Sequence, residues 1–271
     1  MPELPEVEFA GRRLRGWLVG RLIASVEATA GSPLRDLTPA ALASGLIGRR
    51  VVAVRRHGKQ LFLDLDDGHV WLCHLGMTGK FVRRAPGEAE RAGTRARLGF
   101  ADGGPAIDFV DPRRFGRLRL LGAAAAAAHP EVARLGPDAL DLAAAPTDFA
   151  ARVGRGRAPI KVALLDQRRL AGVGNIYACE ALHDAGVNPW TPAGDLTGPR
   201  LEALARAVEA TMRASLARET DDEITYLQQA KATNPFRVYG RAGEDCPCCG
   251  ERVSRAEQAG RGTFWTPTTQ P

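Results

Sequence analysis

The feature that most constrains the fold of this chain is a change of pattern at a run of six alanines, Ala123–Ala128. Before this run, over residues 46–121, apolar and polar residues alternate as they do in half-buried strands. Leu61–Leu65 is one such stretch, and Val70–Leu75 follows a short turn as the second strand of a hairpin. After the run, apolar residues recur at helical spacing. With 271 residues available for two cores, we predict an α+β protein with an N-terminal β-sandwich and a C-terminal helical domain.

The same patterns predict further elements on both sides of the alanine run. We expect helices over Pro5–Leu18, Ile160–Gln167 and Asn175–Ala185, and a second hairpin formed by Arg95–Ala101 and Ala106–Val110. One longer helix carries an apolar stripe that we expect to face the core: Leu201, Leu204, Ala205, Val208, Met212 and Leu216. The predicted domains are the sandwich (1–122), a linker (123–140), the helical domain (141–235) and a terminal β-hairpin (236–271).

The composition narrows the class of protein without defining it. Lys and Arg outnumber Asp and Glu by 37 to 31, and the pI is near 9.4. Basic residues cluster at 49–59, 80–97, 113–119 and 152–169, which fits either a phosphate-rich partner or solvated faces. No apolar run approaches the roughly 18 residues of a membrane span, and no signal-peptide pattern is present. We therefore expect a cytosolic protein with no membrane partner.

The first residues, "MPELPEVE", can be either a tail or a reactive end. If Met1 is removed, the chain begins with the secondary amine of Pro2. An α-amino group has a pKa of about 7.7–8.0, so part of it is unprotonated at neutral pH and can attack an electrophilic carbon. The neighbouring Glu3 is a candidate acid or base. Taken alone, the stretch does not decide between the two interpretations.

Four further stretches decide the question: "RRHGKQLFLDL" (55–65), "HLGMTGK" (74–80), "DPRRFG" (111–116) and "LAGVGNIYACEAL" (170–182). Together with "PELPEVE", in this order and spacing, they resemble the formamidopyrimidine-DNA glycosylases, bacterial base-excision repair enzymes that remove oxidised purines. The resemblance extends from Pro2 to about Trp265. It implies a bifunctional glycosylase and abasic-site lyase that cuts damaged double-stranded DNA by β,δ-elimination, with DNA bound across a cleft between two domains.

The resemblance assigns the chemistry to four residues. Pro2 would attack the sugar carbon that carries the damaged base and form a Schiff base. Glu3 would protonate the sugar ring oxygen as the ring opens, and Glu6 would order the site. Lys59 matches the catalytic lysine of the family, close to the phosphate and the damaged base. No cofactor is required for this chemistry.

The resemblance also implies a set of DNA-binding residues. The damaged nucleotide must leave the duplex, at a cost of about a few kcal/mol, and the vacancy must be filled. Met77, Arg113 and Phe115 match the three void-filling residues of the family: an apolar wedge, a guanidinium facing the orphaned base, and an aromatic ring that stacks. Arg114 would hold a phosphate, and His74 belongs to the same DNA-binding set.

The two helices around "AGVGN" match the helix–two-turn–helix of the family. Gly172 and Gly174 permit a tight turn, and Asn175 opens a helix whose free N–H groups can bind a backbone phosphate. Lys161, on the preceding helix, is a further candidate phosphate contact. Arg261 in "AGRGTFW" stands at the position of the arginine at the tip of the family's finger, where it would grip a phosphate and support catalysis.

The end of the chain departs from the family, which has a four-cysteine zinc finger. Cys246 and Cys249 supply the first pair, with Cys248 between them, but Thr266 and Thr269 stand in place of the second pair. A threonine hydroxyl is a poor zinc ligand and no histidine follows His183, so this segment alone cannot supply four ligands. We expect a zincless finger held by packing. The alternatives are a loose hairpin, or a metal bound through Cys246, Cys248, Cys249 and another ligand.

The segment 218–236 is a second departure, because it lacks the glycine-rich, aromatic loop that closes over the extruded purine in the family. The expected substrates are ring-opened purines and 8-oxoguanine. An endonuclease VIII-like preference for oxidised pyrimidines, or an inactive protein that binds damaged DNA, are the alternatives. We expect a monomer in the bacterial cytoplasm, associated with the nucleoid.

Overall fold

The computed structural model describes residues 2–31, 33–142, 146–219 and 234–271. The chain divides into two compact units: residues up to Ala133 belong to the first, and Arg134–Arg218 and the finger belong to the second. In the described part of the chain, no helix is both long enough and apolar enough to cross a membrane. The segment 218–236, in which the substrate loop of the family is expected, lies for the most part outside the described residues.

The first unit contains two four-stranded antiparallel sheets. Its elements are α1 (Leu4–Leu18), β1 (Ile23–Ala28), α2 (Pro39–Leu46), β2 (Val51–His57), β3 (Gln60–Leu65), β4 (His69–His74), β5 (Lys80–Arg84), β6 (Thr94–Phe100), β7 (Ala106–Val110), β8 (Arg117–Gly122), α3 (Ala123–Ala128) and α4 (Pro130–Ala133). The strand orders are β1-β6-β7-β5 and β2-β3-β4-β8. Trp71 of one sheet meets Phe81 of the other edge to face, with ring centroids 6.0 Å apart. The predicted sandwich is confirmed.

The alanine run, which the sequence predicts to begin the linker, is helical. It forms the short helix α3, in which Ala126 is buried against Phe62, Val70 and Leu72 of the second sheet. Alanine favours a helix and, because its side chain is small, it allows the helix to approach the sheet closely. The run thus packs with the first unit.

The N-terminal helix α1 is fixed at its start and along its length. Glu3 is the N-cap and forms a capping box with Glu6, and Pro5 lies in the first turn, where its missing N–H costs nothing. Farther along, the half-buried carboxylate of Glu8 accepts a hydrogen bond of 2.7 Å from Arg56 of β2. Burial opposes ionisation, but hydrogen bonds from Arg56 and Arg12 outweigh it and lower the pKa of Glu8.

The second unit is helical and ends in a hairpin, as predicted. It contains α5 (Pro146–Val153), α6 (Ile160–Leu165), α7 (Asn175–Asp184), a 3-10 turn (Ala193–Asp195), α8 (Gly198–Arg218), β9 (Ser254–Gln258) and β10 (Arg261–Trp265). Every residue of the predicted apolar stripe on α8 is buried. Ala259 and Gly260, both with positive φ, form the two-residue turn between β9 and β10. Arg261 follows this turn directly and is exposed.

Candidate active site and nucleic-acid interface

The candidate nucleophile lies next to a rigid helix start. Pro2 and Glu3 are both buried, and Glu3 is only 1% exposed. The Glu3 amide donates to the Glu6 carboxylate at 2.8 Å, and the Glu3 side chain accepts from the Glu6 amide in return. This reciprocal pair fixes the backbone directly after Pro2. The role predicted for Glu6, ordering the site, therefore has a structural basis in the capping box.

Lys59 and His74 lie at the same end of the second sheet. Lys59 is in the turn between β2 and β3, and the next residue, Gln60, pairs with His74 on β4. Burial, together with the positive charges of Arg117 and Lys59, lowers the pKa of His74 to about 3. The imidazole is therefore neutral at physiological pH.

The tautomer of His74 follows from its hydrogen bond. Its Nδ1 accepts from the Gly76 amide at 2.9 Å, so the proton of the neutral ring is on Nε2. His74 can consequently donate one hydrogen bond to an anionic oxygen but does not bring a positive charge. Arg117 and Lys59 supply the positive charge near His74.

The candidate void-filling residues occupy two loops that touch. Met77 is in the loop between β4 and β5, and Arg113 and Phe115 are in the loop between β7 and β8. A Cβ on Gly76 would lie 2.3 Å from the Phe115 carbonyl carbon, so only glycine allows this approach, and φ of Gly76 is +66°. The Phe115 ring is 46% exposed, and the Arg113 guanidinium lies 5.0 Å from its centroid. Hence the two loops present their side chains from one rigid base.

Asp111 connects these loops through hydrogen bonds, and it was not among the predicted site residues. Its fully buried carboxylate accepts from the Thr78 hydroxyl and from the Gly116 amide, each at 2.7 Å. Its carbonyl accepts from the amide of Arg114, which has a positive φ of 58°. Asp111 thereby fixes the backbone conformation of the loop that carries the exposed Arg113, Arg114 and Phe115.

In the second unit, Gln167 shapes the loop before α7. Its side-chain amide donates to the carbonyls of Leu165 and Val173, and its oxygen accepts from the Gly172 amide at 2.9 Å. Gly172 has φ +105°, a conformation that glycine tolerates best. α7 then begins at Asn175 without a side-chain cap. The first-turn N–H groups of a ten-residue helix thus form a candidate phosphate site.

Lys161 and Asn175 both bind the finger hairpin. The Lys161 ammonium, which is fully buried, donates to the Gly262 carbonyl at 3.2 Å and to the Thr263 hydroxyl at 2.8 Å. The Asn175 amide donates to the same Gly262 carbonyl at 2.9 Å. These bonds hold the residue that follows Arg261 against α6 and α7. The described structure gives Lys161 an internal role, and its predicted phosphate contact stays a prediction.

The finger is held on α7 by packing and by buried carboxylate bonds. Val238, Cys246 and Val253 form a small core with Cys179 of α7. The buried Glu180 of α7 accepts from three successive backbone amides, Arg237 to Tyr239, at 2.8–2.9 Å. Packing and these hydrogen bonds attach the finger to α7 through contacts that do not involve a metal.

Hydrogen bonds occupy the positions of the missing cysteine pair. The Gln270 side-chain oxygen accepts from the Thr266 amide and hydroxyl, while its nitrogen donates to the Val187 carbonyl. The Glu251 carboxylate accepts from the Thr269 amide and hydroxyl. Thr266 and Thr269 therefore belong to a polar network rather than to a ligand set.

The remaining cysteines lie close together with a histidine that the sequence analysis set aside. Cys246, Cys249 and His183 bring their ligand atoms within 4.8 Å of one another, whereas Cys248 is exposed and outside this group. Burial raises the pKa of Cys246. Although burial opposes it, hydrogen bonds from His183 and Thr269 lower the pKa of Cys249 to about 6. These three residues are the candidates for holding a metal.

Comparisons with known proteins agree with this arrangement. Residues 1–118 match the formamidopyrimidine-DNA glycosylase N-terminal domain, and residues 135–226 match the formamidopyrimidine-DNA glycosylase H2TH domain. The formamidopyrimidine-DNA glycosylases of Paracoccus denitrificans and Cereibacter sphaeroides are 39% and 40% identical to this chain, each over the full length of both proteins. The chain therefore belongs to the formamidopyrimidine-DNA glycosylase family.

Solved structures of the family have the same fold. The MutM (Fpg) protein of Thermus thermophilus superimposes with a TM-score of 0.82 at 37% identity, over 99% of this chain and 98% of that one. The Lactococcus lactis formamidopyrimidine-DNA glycosylase bound to DNA with an abasic site gives a TM-score of 0.86 at 27% identity, covering 99% of both chains. The predicted α+β architecture is confirmed for the residues that the structure describes.

Proposed function

We propose that the protein is a bifunctional DNA glycosylase and abasic-site lyase of base-excision repair that removes oxidised purines through a Schiff base on Pro2. Membership of the family supports the activity. The observation that carries the assignment to Pro2 is the capping box between Glu3 and Glu6, which holds an acid and the preceding amine in one fixed position.

The chemistry follows from the groups at this position. With Met1 removed, the lone pair of the Pro2 nitrogen attacks the sugar carbon that bears the damaged base, the bond to the base breaks, and the departing base takes up the proton that the Pro2 nitrogen loses. Glu3 gives its proton to the ring oxygen as the sugar opens, which leaves an iminium on Pro2. The iminium acidifies the neighbouring C–H, so two eliminations release the phosphates on either side. Water then hydrolyses the iminium and regenerates the amine.

The active site can reach the damaged base only when the base leaves the duplex. Met77, Arg113 and Phe115 are the candidates to fill the space, and the exposure of Phe115 supports this because a large exposed aromatic ring has a cost in a free protein. Arg114, Lys59, the start of α7 and Arg261 are the candidate phosphate contacts, and His74 adds a neutral donor. We expect the enzyme to act as a monomer on DNA in the bacterial cytoplasm.

Ring-opened purines and 8-oxoguanine are the proposed substrates. The names of the relatives favour the purine branch over an endonuclease VIII-like preference for oxidised pyrimidines. One Lactococcus lactis Fpg structure is nevertheless a complex with DNA that contains an oxidised pyrimidine, so a protein of this family binds such DNA. The preferred substrate can be determined from excision rates on duplexes that contain a ring-opened purine, 8-oxoguanine or an oxidised pyrimidine. Faster excision of the pyrimidine would contradict the proposal.

Borohydride trapping tests the enzyme activity. Purified protein lacking Met1 is mixed with duplex DNA that contains an abasic site, and borohydride is added to reduce any iminium. We expect a covalent adduct with the wild type and none with Pro2→Gly or with protein that keeps Met1. The variant Pro5→Ala, which alters the other proline of the motif, should still form the adduct. Absence of an adduct with the wild type, together with retained DNA binding, would support the inactive alternative.

A further inference from the structure

Two cysteines of the finger and one histidine of α7 place their ligand atoms close together. His183 is in the last turn of α7 and is 4% exposed, and Cys246 is 2% exposed. The His183 Nε2 atom lies 3.5 Å from the Cys246 sulfur and 3.8 Å from the Cys249 sulfur. Within the described residues this is the only group of three such ligand types that is close enough to share one ion.

These distances match the edges of a tetrahedral zinc site. With Zn–S near 2.3 Å and Zn–N near 2.0–2.1 Å, the sulfur-to-nitrogen edge of a regular tetrahedron is about 3.6 Å and the sulfur-to-sulfur edge about 3.8 Å. The two observed sulfur-to-nitrogen distances lie on either side of this value. The two sulfur-to-nitrogen edges therefore already have nearly the lengths that a bound zinc ion requires, and the two sulfurs lie within 4.8 Å of each other.

Without a metal, hydrogen bonds cannot satisfy all the polar atoms of His183, Cys246 and Cys249. One imidazole nitrogen has one lone pair or one proton, so it cannot form a good hydrogen bond with both sulfurs at once. The other ring nitrogen, Nδ1, is buried and has no hydrogen-bond partner, and the nearest carboxylate oxygen, on Asp184, is 3.6 Å away. Zinc-bound histidines commonly direct this second nitrogen towards a carboxylate. A cation at Nε2 would use both sulfurs and would favour a proton on Nδ1, facing Asp184.

We propose that His183, Cys246 and Cys249 form a zinc site with three protein ligands, which joins the finger to α7 and replaces the four-cysteine site of the family. Solvent completes the coordination, because Cys249 is exposed on the outer side. Neither threonine is a ligand: the Thr266 hydroxyl is engaged by Gln270, and the Thr269 hydroxyl lies between Glu251 and the Cys249 sulfur as a hydrogen-bonding group. Cys248 is not a ligand, although it stands between the two that are.

The open fourth position distinguishes this site from a closed structural site. Three protein ligands and one water leave the metal accessible, so a chelator can remove it faster than from four buried thiolates. The hydrogen bonds of Glu180, Gln270 and Glu251 remain when the metal leaves. We therefore expect the metal-free finger to stay folded but to melt at a lower temperature.

Metal analysis of the full-length protein, purified under reducing conditions and supplied with zinc, tests the proposal. We expect about one zinc per chain in the wild type and in the control Cys248→Ser, and a large loss in His183→Ala, Cys246→Ser and Cys249→Ser. Chelation should lower the melting temperature of the wild type and of Cys248→Ser, and zinc should restore it. No zinc in the wild type, or full zinc in His183→Ala, would overturn the proposal.

Cobalt provides a second measurement in case a variant fails to fold. Co(II) added to the metal-free wild type should give a thiolate-to-metal charge-transfer band with the intensity of two thiolates, together with the visible absorption of a four-coordinate ion. The Cys248→Ser protein should give the same spectrum. Absence of a band in the wild type, or a band with the intensity of three thiolates that falls in Cys248→Ser, would refute this ligand set. Neither experiment depends on glycosylase activity.

Discussion

Asp111 is a single residue on which the proposed DNA-binding loops depend. Its two carboxylate oxygens each accept one bond, from Thr78 and from Gly116, and an asparagine can accept only one of them. We predict that Asp111→Asn binds duplex DNA with an abasic site about tenfold more weakly, since a lost buried bond costs about 1–3 kcal/mol. Fluorescence anisotropy measures the change. The control Asp102→Asn, at an exposed carboxylate of the same unit, should bind normally, and equal affinities for both variants would contradict the role of Asp111.

His74 gives a prediction on pH, because its pKa is about 3 in the folded protein against 6.5 for a free imidazole. Lys59, Arg117, Arg119 and Glu131 are the charged groups that act on it, and only Glu131 favours the protonated form. Between pH 6.5 and pH 3 the unfolded chain binds a proton that the folded chain does not. Stability therefore falls as the pH is lowered through this range, by about 1 kcal/mol per pH unit from this group.

Denaturant unfolding at pH 6.5 and pH 5.0 checks this effect of His74. Over this interval the loss of stability should be smaller in His74→Gln than in the wild type. The control His69→Gln, at the exposed start of β4, should behave like the wild type. The interval lies above the usual pKa of 4.5 for a glutamate, so the lowered pKa of Glu8 adds its own loss only at lower pH. An unchanged slope in His74→Gln would contradict a neutral imidazole.

Among the secondary-structure elements, α6, α7 and the finger hairpin meet at Lys161. The question is whether this lysine stabilises the fold or binds a DNA phosphate. If its ammonium holds the Gly262 carbonyl and the Thr263 hydroxyl, Lys161→Met should lower the melting temperature. The salt dependence of DNA binding should then stay unchanged. The matched variant Arg261→Met, at an exposed cation, should leave the melting temperature unchanged and reduce the slope of log K against log salt by about one. A reduced slope with unchanged stability in Lys161→Met would instead support its predicted phosphate contact.

The sequence predicts those elements and residues that are indicated by patterns within a few neighbouring positions. The helix start at Glu3 and Glu6 and the strands of the hairpins follow from spacings of a few residues. The bond between Thr78 and Asp111 spans 33 positions, and those from His183 to Cys246 and Cys249 span 63 and 66. No local pattern indicates such contacts, because they depend on how separate elements pack. For this reason the roles of Asp111 and His183 were not predicted, although each stands inside or beside a stretch that was recognised. The bonds of Gln167 span only two to six positions, but they depend on the conformation of the loop, which the sequence pattern does not specify.

For the protein as a whole, the central claim is that the N-terminal nitrogen of Pro2, rather than a lysine, attacks the sugar. Lys59 is the sharpest competitor, because it is an amine assigned to the same chemistry by the family resemblance. Peptide mapping by mass spectrometry of the borohydride-trapped complex distinguishes them directly. We predict that the DNA remnant is attached to the peptide that begins with Pro2, on its terminal nitrogen. Attachment to Lys59, or to a peptide that still begins with Met1, would contradict the account.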